Sequence, residues 1–430
     1  MERILSNQCK DYINKKVVLF GYVHNIRKLG GLVFIILRDK SGIVQTIIEK
    51  PDEVISSLGL ESVVKISGRV REEKRAPNGI EVEIEKLEPI VLVKEQIPIE
   101  INKPIEYSKV SLDKILSYRS VTLRNLQIRA IFKIQAGLAE AFRKFLNSEG
   151  FTEVFTPKIV KTATEGGAEL FPVRYFEKRA YLAQSPQFYK QIMVGVFEKV
   201  FEVGYVFRAE KHETKRHLNE YVSLDAEVGF IKDEEDLMEL HTKLLRYMFN
   251  YIRENFLEEL EMYNIKLPKI DKIPRVSFSE AINILRKKYK KSCEGDLDPE
   301  GERLICKYFK EETDSDLVFI TLYPREKSPM YAMPYQENPK LARKFDLLYK
   351  GVEITTGGQR IHDYKMLKKS IKERGLNPED FSFYLQAFRY GMPPHGGFGI
   401  GLERLTCQML ELRNVKEASL FPRDRHRLVP

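Results

Sequence analysis

The sequence predicts a multidomain α+β protein in which a small β domain precedes a larger domain of alternating strands and helices. Residues 16 to about 93 divide into short runs rich in Val, Ile and Phe, with turn residues between them. From Ile131 onward a helical period takes over. The length of 430 residues is ample for two or three domains, so the two patterns can belong to separate folding units.

Five strands are predicted in the first region, and they point to a barrel. They lie at residues 16–24, 32–38, 43–48, 62–70 and 79–87. The dipeptides Gly30-Gly31 and Ser41-Gly42 and the tripeptide Pro77-Asn78-Gly79 separate some of them. Five strands in about 80 residues suit a small closed barrel, and the OB-fold is the five-stranded barrel that binds oligonucleotides. An SH3-like barrel or another small β domain is the alternative that the pattern leaves open.

The predicted domain boundaries follow from composition and periodicity. We place the barrel at 1–105, a hinge or linker at 106–130 and the larger domain at 131–430. Within the larger domain the pattern predicts a helix at 131–149, with Ile134, Leu138, Phe142 and Phe145 on one face. A second helix is predicted at 235–255, and strands are predicted at 199–206, 317–322 and 382–385.

Composition narrows the class of protein and its partners. A formal net charge of +9 and a pI near 9.0 favour a polyanionic partner, although a merely basic housekeeping enzyme is the alternative. The four cysteines are scattered without a C-x-x-C pair, which argues against a zinc site or a disulfide framework. No apolar run reaches about 18 residues and the N-terminus turns polar at once, so we expect no membrane span, no signal peptide and a cytoplasmic location.

A predicted strand, a charged loop and a second strand carry the first group of candidate site residues. Arg208 ends the first strand in Phe207-Arg208-Ala209-Glu210, and its guanidinium offers a planar fork of donors that suits a carboxylate or a phosphate. Arg216 and His217 in the loop suit terminal phosphates. A surface ion pair is the better interpretation of any one arginine, so the hypothesis depends on the whole hairpin.

Two later segments carry the other candidates. Glu353 lies in an apolar strand ahead of Thr356, and a carboxylate with a hydroxyl nearby suits Mg²⁺. Arg360 suits a substrate carboxylate, although a strand-end ion pair with Glu353 is the alternative. In the glycine-rich run 396–401 a ligand can approach the backbone, and Arg404 beyond it suits an adenine ring or a terminal phosphate.

Together these segments resemble motifs 2 and 3 of the class II aminoacyl-tRNA synthetases. Motif 1, which packs the dimer interface in that class, is matched by the predicted helix 131–149 and by residues 150–157. Over all 430 residues the chain is similar to the archaeal-type aspartyl-tRNA synthetases of subclass IIb. The resemblance implies an α+β fold with an N-terminal OB-fold for the anticodon, a catalytic domain built on an antiparallel sheet flanked by helices, and a homodimer.

The resemblance also implies roles for single residues. Lys190 and Arg360 would meet the aspartate side chain, and Glu165 would hold its ammonium group; an asparaginyl enzyme gains nothing from two such cations. The implied aspartate-binding residues are Glu165, Gln187, Phe188, Tyr189, Lys190, Arg208, Thr356 and Arg360. The implied ATP-binding residues are Arg208, Ala209, Glu210, Arg216, His217, Leu218, Glu353, Gly401, Leu402, Glu403 and Arg404. Arg208, Glu353 and Arg404 are the implied catalytic residues, and Glu353 and Thr356 the implied Mg²⁺ ligands.

The chemistry implied by the resemblance needs no protein nucleophile. The aspartate carboxylate attacks the α-phosphorus of ATP, pyrophosphate leaves, and the terminal hydroxyl of tRNA then attacks the aspartyl-adenylate. Arginines and Mg²⁺ position the reactants and neutralise charge.

In the barrel, the resemblance points to five residues that read tRNA. Phe34 suits stacking on an anticodon base, Gln45 a base hydrogen bond and Arg27 the backbone, although core packing is the alternative for Phe34. Enzymes restricted to tRNA(Asp) tend to carry Trp and Lys at two positions where this chain has His24 and Pro77. We therefore predict the non-discriminating kind, which also charges tRNA(Asn) and feeds an amidotransferase. An ordinary turn proline is the alternative for Pro77.

Four rival functions stay open. A discriminating aspartyl enzyme or an asparaginyl-tRNA synthetase belongs to the same subclass, and the segment around Lys190 argues against the asparaginyl enzyme. A tRNA-binding paralogue without catalysis commonly lacks an arginine of motif 2 or 3, and this chain has them. A synthetase-derived asparagine synthetase lacks the N-terminal barrel.

Overall fold

The computed structural model describes residues 2–106, 109–162, 169–211, 214–293 and 297–430. The chain divides into two compact units, Met1–Ile128 and Arg129–Pro430. Each unit has hydrophobic clusters of its own, so each is built around its own core.

The first unit is a closed five-stranded barrel. Its elements are β1 (Lys16–Leu29), β2 (Leu32–Arg38), β3 (Ile43–Glu49), the short helix α1 (Glu53–Ser56), β4 (Val63–Glu72) and β5 (Ile80–Val91). The strand order is β1-β2-β3-β5-β4, and β1 closes the barrel by pairing with both β2 and β4. All five predicted strands are present. Alternate residues such as Val33, Ile35 and Leu37 fill the barrel, as the period of two requires.

The stretch predicted as a linker contains helical structure. Helices α2 (Leu112–Ser117) and α3 (Arg119–Thr122) lie there, and α4 (Leu126–Ser148) begins before the predicted start at residue 131. Asn125 accounts for the earlier start, because its side-chain oxygen accepts the backbone N–H groups of Gln127 and Ile128 and caps the helix.

The second unit contains an eight-stranded sheet and a small three-stranded sheet. Its strands are β6 (Thr152–Glu153), β7 (Ile159–Val160), β8 (Pro172–Tyr175), β9 (Lys178–Leu182), β10 (Lys199–Phe207), β11 (Glu220–Gly229), β12 (Arg275–Ser277), β13 (Leu317–Pro324), β14 (Leu341–Tyr349), β15 (Val352–Arg360) and β16 (His395–Gly401). The large sheet has the order β12-β13-β14-β15-β16-β11-β10-β6. Its central pairs are antiparallel, as predicted, whereas the pairs at both edges are parallel.

Helices flank this sheet. Those that follow α4 are α5 (Gln187–Phe197), α6 (Glu234–Asn255), α7 (Leu257–Met262), α8 (Phe278–Tyr289), α9 (Pro299–Thr313), α10 (Tyr364–Glu373), α11 (Ser382–Arg389) and α12 (Leu402–Met409). The predicted face of α4 is buried in the main core, where Phe142 meets Phe201 of β10 edge to face at 5.8 Å between ring centroids. This packing holds the helix layer to the strands that carry the site.

The prediction of a strand at 382–385 is wrong, because these residues begin helix α11. Tyr384, Leu385 and Phe388 are its buried side chains, and their spacing is helical. Tyr384 packs on Phe188 with ring centroids 4.4 Å apart. A run of four residues is too short to distinguish the period of two of a strand from the period of about 3.6 of a helix.

Cysteines and hydropathy give two further structural facts. The four cysteines are free thiols, and Cys9, Cys306 and Cys407 are buried. Among the described residues, every helix is too short or too polar to cross a membrane.

Candidate active site

One face of the large sheet carries a concave pocket. Gly397, Gly399 and Gly401 alternate along β16, so their missing side chains fall on the same face. Their register partners are Glu227, Asp225 and Ser223 in β11 and Gly358 and Thr356 in β15. The glycine strand therefore runs along the floor of the pocket, between two strands that contribute polar side chains.

The pocket brings together most of the predicted site residues. Of these, the lining contains Gln187, Lys190, Arg208, Glu210, Arg216, His217, Leu218, Glu353, Thr356, Arg360, Gly401, Glu403 and Arg404. Phe188 and Leu402 are instead buried in the hydrophobic cores. Tyr189 lies beside Phe383, with ring centroids 6.2 Å apart. The backbone N–H of Ala209 donates to the carbonyl of Glu169 at 2.8 Å. Glu165 falls outside the described residues.

The deepest part of the pocket is a buried cluster of two cations and two carboxylates. Lys190 Nζ lies 2.9 Å from Asp225 Oδ1 and 3.2 Å from Glu227 Oε2. Arg360 Nε donates to Glu227 Oε1 at 2.9 Å, and Arg360 Nη2 donates to the carbonyl of Gly397 at 2.9 Å. The charges balance within the cluster, and the carboxylates fix where the two cations point.

Glu227 is ionised in this environment. Burial raises the pKa of its carboxyl, but the charges of Arg360 and Lys190 more than offset that effect, so the pKa lies below its usual value. Gly397 makes the arrangement possible, because a Cβ there would lie 2.0 Å from the carbonyl of Ala226 and 2.3 Å from Glu227 Oε2. The absence of a side chain at Gly397 thus lets the glutamate reach both cations.

Two of the predicted phosphate-binding arginines meet at the pocket, Arg216 from the loop between β10 and β11 and Arg404 from helix α12. Arg216 Nη2 donates to both oxygens of Glu302 at 2.8 Å. Arg404 Nε donates to the carbonyl of Arg216 at 3.2 Å, and Arg404 Nη1 donates to the carbonyl of Glu353 at 3.1 Å. The arginine side chains are therefore held by acceptors at fixed positions and line the pocket.

Glu353 faces a second carboxylate, Asp346, on the neighbouring strand. Burial raises the pKa of Glu353, and the negative charge of Asp346 raises it further. Asp346 is paired in register with Thr356, and its Oδ2 lies 2.8 Å from Lys344 Nζ. Its buried Oδ1 has no hydrogen-bond partner among the described residues. Two adjacent carboxylates and an unsatisfied oxygen fit a divalent cation.

Two further titratable groups lie at the pocket. Burial, together with the charges of the nearby arginines, lowers the pKa of His217 to about 4, so its ring is neutral at physiological pH. Its Nδ1 lies 2.6 Å from the hydroxyl of Thr214. Burial raises the pKa of Glu403 to about 8, although the backbone N–H of Val222 donates to its carboxyl group.

Four acidic residues of the candidate site were not predicted from the sequence: Asp225, Glu227, Glu302 and Asp346. Asp225 and Glu227 alternate with apolar residues in β11, as outward-facing strand residues also do. An available signal was that both are acidic residues in a strand that leads from the arginine-bearing loop. Glu302, on helix α9, had no local signal, because only the tertiary fold brings it to Arg216.

In the barrel, three of the residues predicted to contact tRNA lie together. Arg27 is paired in register with Phe34, and Arg27 Nη2 donates to Gln45 Oε1 at 3.1 Å. Phe34 is half-buried and lies outside the barrel core, unlike its neighbours Val33 and Ile35.

The other two predicted tRNA-contacting residues lie elsewhere in the barrel. His24 is buried at a register shift in β1, and Pro77 begins a 3₁₀ turn between β4 and β5.

Comparisons with known proteins agree with this architecture. The sequence matches the family described as tRNA synthetases class II (D, K and N) over residues 111–425, and the OB-fold nucleic acid binding domain over residues 17–90. It is 48% identical to an aspartate–tRNA(Asp/Asn) ligase of Thermus thermophilus, over 100% of both chains. It is 47% identical to an aspartate–tRNA(Asp) ligase of Pyrococcus abyssi, over 99% of both. Asparaginyl-tRNA synthetase from Pyrococcus horikoshii, in complex with asparaginyl-adenylate, has a similar structure, with a TM-score of 0.93 and 37% identity over 100% of both chains.

The fold and the site define a class II tRNA synthetase with an OB-fold domain, an enzyme whose substrates are ATP, an amino acid and tRNA. Within that class, the identity over the full length shows that the chain belongs to the aspartate–tRNA ligase family.

Proposed function

We propose that this enzyme attaches L-aspartate to tRNA(Asp) and to tRNA(Asn) through an aspartyl-adenylate. The observation that carries the amino-acid choice is the pair of buried cations, Lys190 and Arg360, on the pocket floor. A carboxylate accepts hydrogen bonds from both, whereas an amide turns an N–H donor toward one of them and leaves it unpaired. The floor therefore favours aspartate over asparagine.

The reaction proceeds by positioning and charge neutralisation. Arg208, at the end of β10, binds the substrate carboxylate and the α-phosphate, and the carboxylate attacks the α-phosphorus while pyrophosphate leaves. Arg216 and Arg404 take the terminal phosphates, Glu210 and the 401–404 segment hold the adenine side, and neutral His217 donates without adding charge. The terminal hydroxyl of tRNA then attacks the adenylate. In this scheme no protein side chain forms a covalent intermediate.

Mg²⁺ is the proposed cation between the strands β14 and β15. Glu353 and Thr356 would hold it, with Asp346 beside them, because their oxygens are the ligands that Mg²⁺ prefers. The ion supplies charge neutralisation for the polyphosphate. Among the described residues there is no cluster of three or more His, Cys, Asp or Glu side chains arranged to hold a metal ion, so substrate phosphates would complete the coordination.

The barrel is proposed to bind the anticodon. Phe34 would stack on a base, while Arg27 and Gln45, already hydrogen-bonded to each other, would contact the neighbouring nucleotides. Charging of tRNA(Asn) in addition to tRNA(Asp) is inferred from His24 and Pro77. An aspartate–tRNA(Asp) ligase and an aspartate–tRNA(Asp/Asn) ligase have nearly equal identity to this chain, 47% and 48%, so identity alone does not decide the point. The chain contains no tryptophan, so the Trp of the restricted enzymes has no counterpart at any position.

Two partners and one cellular location follow from this function. A homodimer is proposed through the motif 1 region, where Phe155 beyond the edge strand β6 is 82% exposed. Asp-tRNA(Asn) made by the enzyme would pass to an amidotransferase. The cytoplasm is the proposed location, since that is where tRNA is charged.

Aspartate-dependent exchange of pyrophosphate into ATP tests the amino-acid assignment. We expect exchange with aspartate and at least about 100-fold less with asparagine at equal concentration, as a site of fixed charges allows. Preferential exchange with asparagine would replace the assignment by an asparaginyl enzyme, and no exchange with either would indicate a non-catalytic paralogue.

A further inference from the structure

Glu302 is a buried carboxylate that the proposed mechanism does not use. It lies in the first turn of α9, and its side chain is 7% exposed. Both of its oxygens accept from Arg216 Nη2 at 2.8 Å, and Oε2 also accepts the backbone N–H of Glu353 at 3.3 Å. One carboxylate thus touches the arginine proposed for the terminal phosphates and the residue proposed for the metal.

Arg404 completes a closed ring of contacts. Its Nε donates to the carbonyl of Arg216, and its Nη1 donates to the carbonyl of Glu353. The four members come from α9, the β10–β11 loop, β15 and α12. A shift of Glu302 would therefore move Arg216 directly. It would also move Glu353, whose carbonyl accepts a hydrogen bond from Arg404.

Helix α9 is a rigid support for this carboxylate. Asp298 caps the helix by accepting the N–H of Gly301 at 2.7 Å, and Ile305, Cys306 and Phe309 are buried against α8 and β13. Arg303 packs against the turn before β15 so closely that a Cβ on Gly351 would lie 2.8 Å from its Cγ. The position of Glu302 is therefore fixed independently of any ligand.

The guanidinium of Arg216 is held on one side only. Its Nη2 binds Glu302, while its buried Nε has no hydrogen-bond partner among the described residues. Burial raises the pKa of Glu302, and the charge of Arg216 acts in the opposite direction. The ion pair fixes one edge of the guanidinium, and its side chain lines the pocket.

We propose that Glu302 is a positioning residue for the activation step, which sets Arg216 in place to bind the terminal phosphates of ATP. The inference rests on the proposed role of Arg216 in ATP binding. Because a flexible arginine must be ordered when ATP arrives, loss of Glu302 transfers that entropic cost to ATP binding. The transfer of aspartate from a formed adenylate to tRNA involves no terminal phosphate and is independent of Glu302.

The test compares Glu302→Gln and Glu302→Ala with a control, Glu300→Ala. Glu300 is in the same first turn, but its side chain is 58% exposed and pairs with Lys291. Pyrophosphate exchange is measured against ATP and against aspartate, and single-turnover transfer is measured from isolated enzyme-bound adenylate. We expect Glu302→Ala to lose roughly 10- to 100-fold in kcat/KM for ATP, the scale of a misplaced active-site group. The KM for aspartate and the transfer rate should stay within about twofold of the parent enzyme, as should all values for Glu300→Ala.

A double variant separates positioning from general destabilisation. In an Arg216→Ala background, Glu302→Ala should cost little further in kcat/KM for ATP, because the residue acts through Arg216. Additive losses, equal losses in the transfer step, or wild-type exchange in both Glu302 variants would overturn the proposal. Should Glu302→Ala fail to fold, Glu302→Gln, of nearly the same volume, carries the same comparison. A wild-type enzyme without aspartate-dependent exchange would instead refute the proposed function.

Discussion

Glu227 receives a hydrogen bond from Arg360 Nε at 2.9 Å, and its other oxygen lies 3.2 Å from Lys190 Nζ. All three side chains are at least nine-tenths buried, and Glu227 is fully buried. A glutamate between two cations sets their spacing and aims their remaining donors. Removing ions from water and ordering their side chains both cost free energy. Because this cluster is already complete in the folded chain, that cost is part of folding and does not reduce the affinity for the ligand.

Lys190→Met should abolish most aspartate use. The change removes one cation that meets the substrate and leaves Asp225 without its partner at 2.9 Å. Truncating one charged partner of a buried contact with a ligand costs about 2–5 kcal/mol of binding free energy, so kcat/KM for aspartate should fall at least about 30-fold. Pyrophosphate exchange against aspartate measures this. Lys369→Met, where the side chain is 77% exposed, is the control and should behave like the parent enzyme. Unchanged aspartate kinetics in Lys190→Met would show that Lys190 does not bind aspartate.

Gly397→Ala should damage the same pocket for a steric reason. A methyl group would lie 2.0 Å from the carbonyl of Ala226 and 2.3 Å from Glu227 Oε2, so the strands or the glutamate must shift. We expect a drop of at least about tenfold in kcat/KM for aspartate, because a 1 Å shift of a positioned group is enough for such a loss. Gly195→Ala in α5 is the control, since its nearest contact would be at 3.5 Å, and it should be neutral or slightly stabilising. Equal activity of the two variants would contradict the role of the glycine.

Glu403→Gln should change the pH dependence of stability. The pKa of Glu403 is raised to about 8, so the folded state holds a proton that the unfolded chain releases near the ordinary value of 4.5. The native protein therefore gains stability from this group below about pH 4.5 and loses it progressively as the pH rises toward 8, a change of a few kcal/mol.

The glutamine variant lacks this group, so its melting temperature relative to the parent should rise between pH 5 and pH 8. Thermal unfolding of both proteins across that range measures the difference. A constant difference at every pH would show that the carboxyl does not titrate in this window.

Phe34→Ala should weaken tRNA binding without affecting adenylate formation. Its ring lies outside the barrel core, and base stacking on an aromatic side chain contributes about 1–3 kcal/mol. We expect a roughly 5- to 100-fold higher KM for tRNA and unchanged pyrophosphate exchange in the absence of tRNA. Leu29→Ala, at a position of the same barrel that is 70% exposed, is the control. A loss of thermal stability without a change in the KM for tRNA would instead make Phe34 a packing residue.

Local patterns were sufficient for much of the fold. The period of two in β1 to β5 and the helical period in α4 and α6 depend on residues next to each other in sequence, so a single chain reveals them. The prediction for residues 382–385 failed because a serine followed by three apolar or aromatic residues fits either the strand or the helical period. The early start of α4 was missed because Asn125 is a capping residue whose role depends on tertiary contacts with the carbonyls of Ile101 and Lys103.

Candidate site residues that lie in compact sequence motifs could be predicted, whereas those that reach the site through contacts between distant parts of the chain could not. Arg208, Arg216, Glu353 and Arg404 stand in segments with distinctive glycines and charges. Glu302 is 86 residues from Arg216 in sequence, and no local pattern joins them.

Aminoacylation of tRNA(Asp) and tRNA(Asn) transcripts with labelled aspartate tests directly whether this enzyme charges both tRNAs. We predict charging of both, with kcat/KM values within about tenfold, the equivalent of about 1.4 kcal/mol. Charging of tRNA(Asp) alone would contradict the breadth inferred from His24 and Pro77 while leaving the aspartate pocket intact. Charging of neither, by enzyme that is active in pyrophosphate exchange, would contradict the proposed role of the barrel as well.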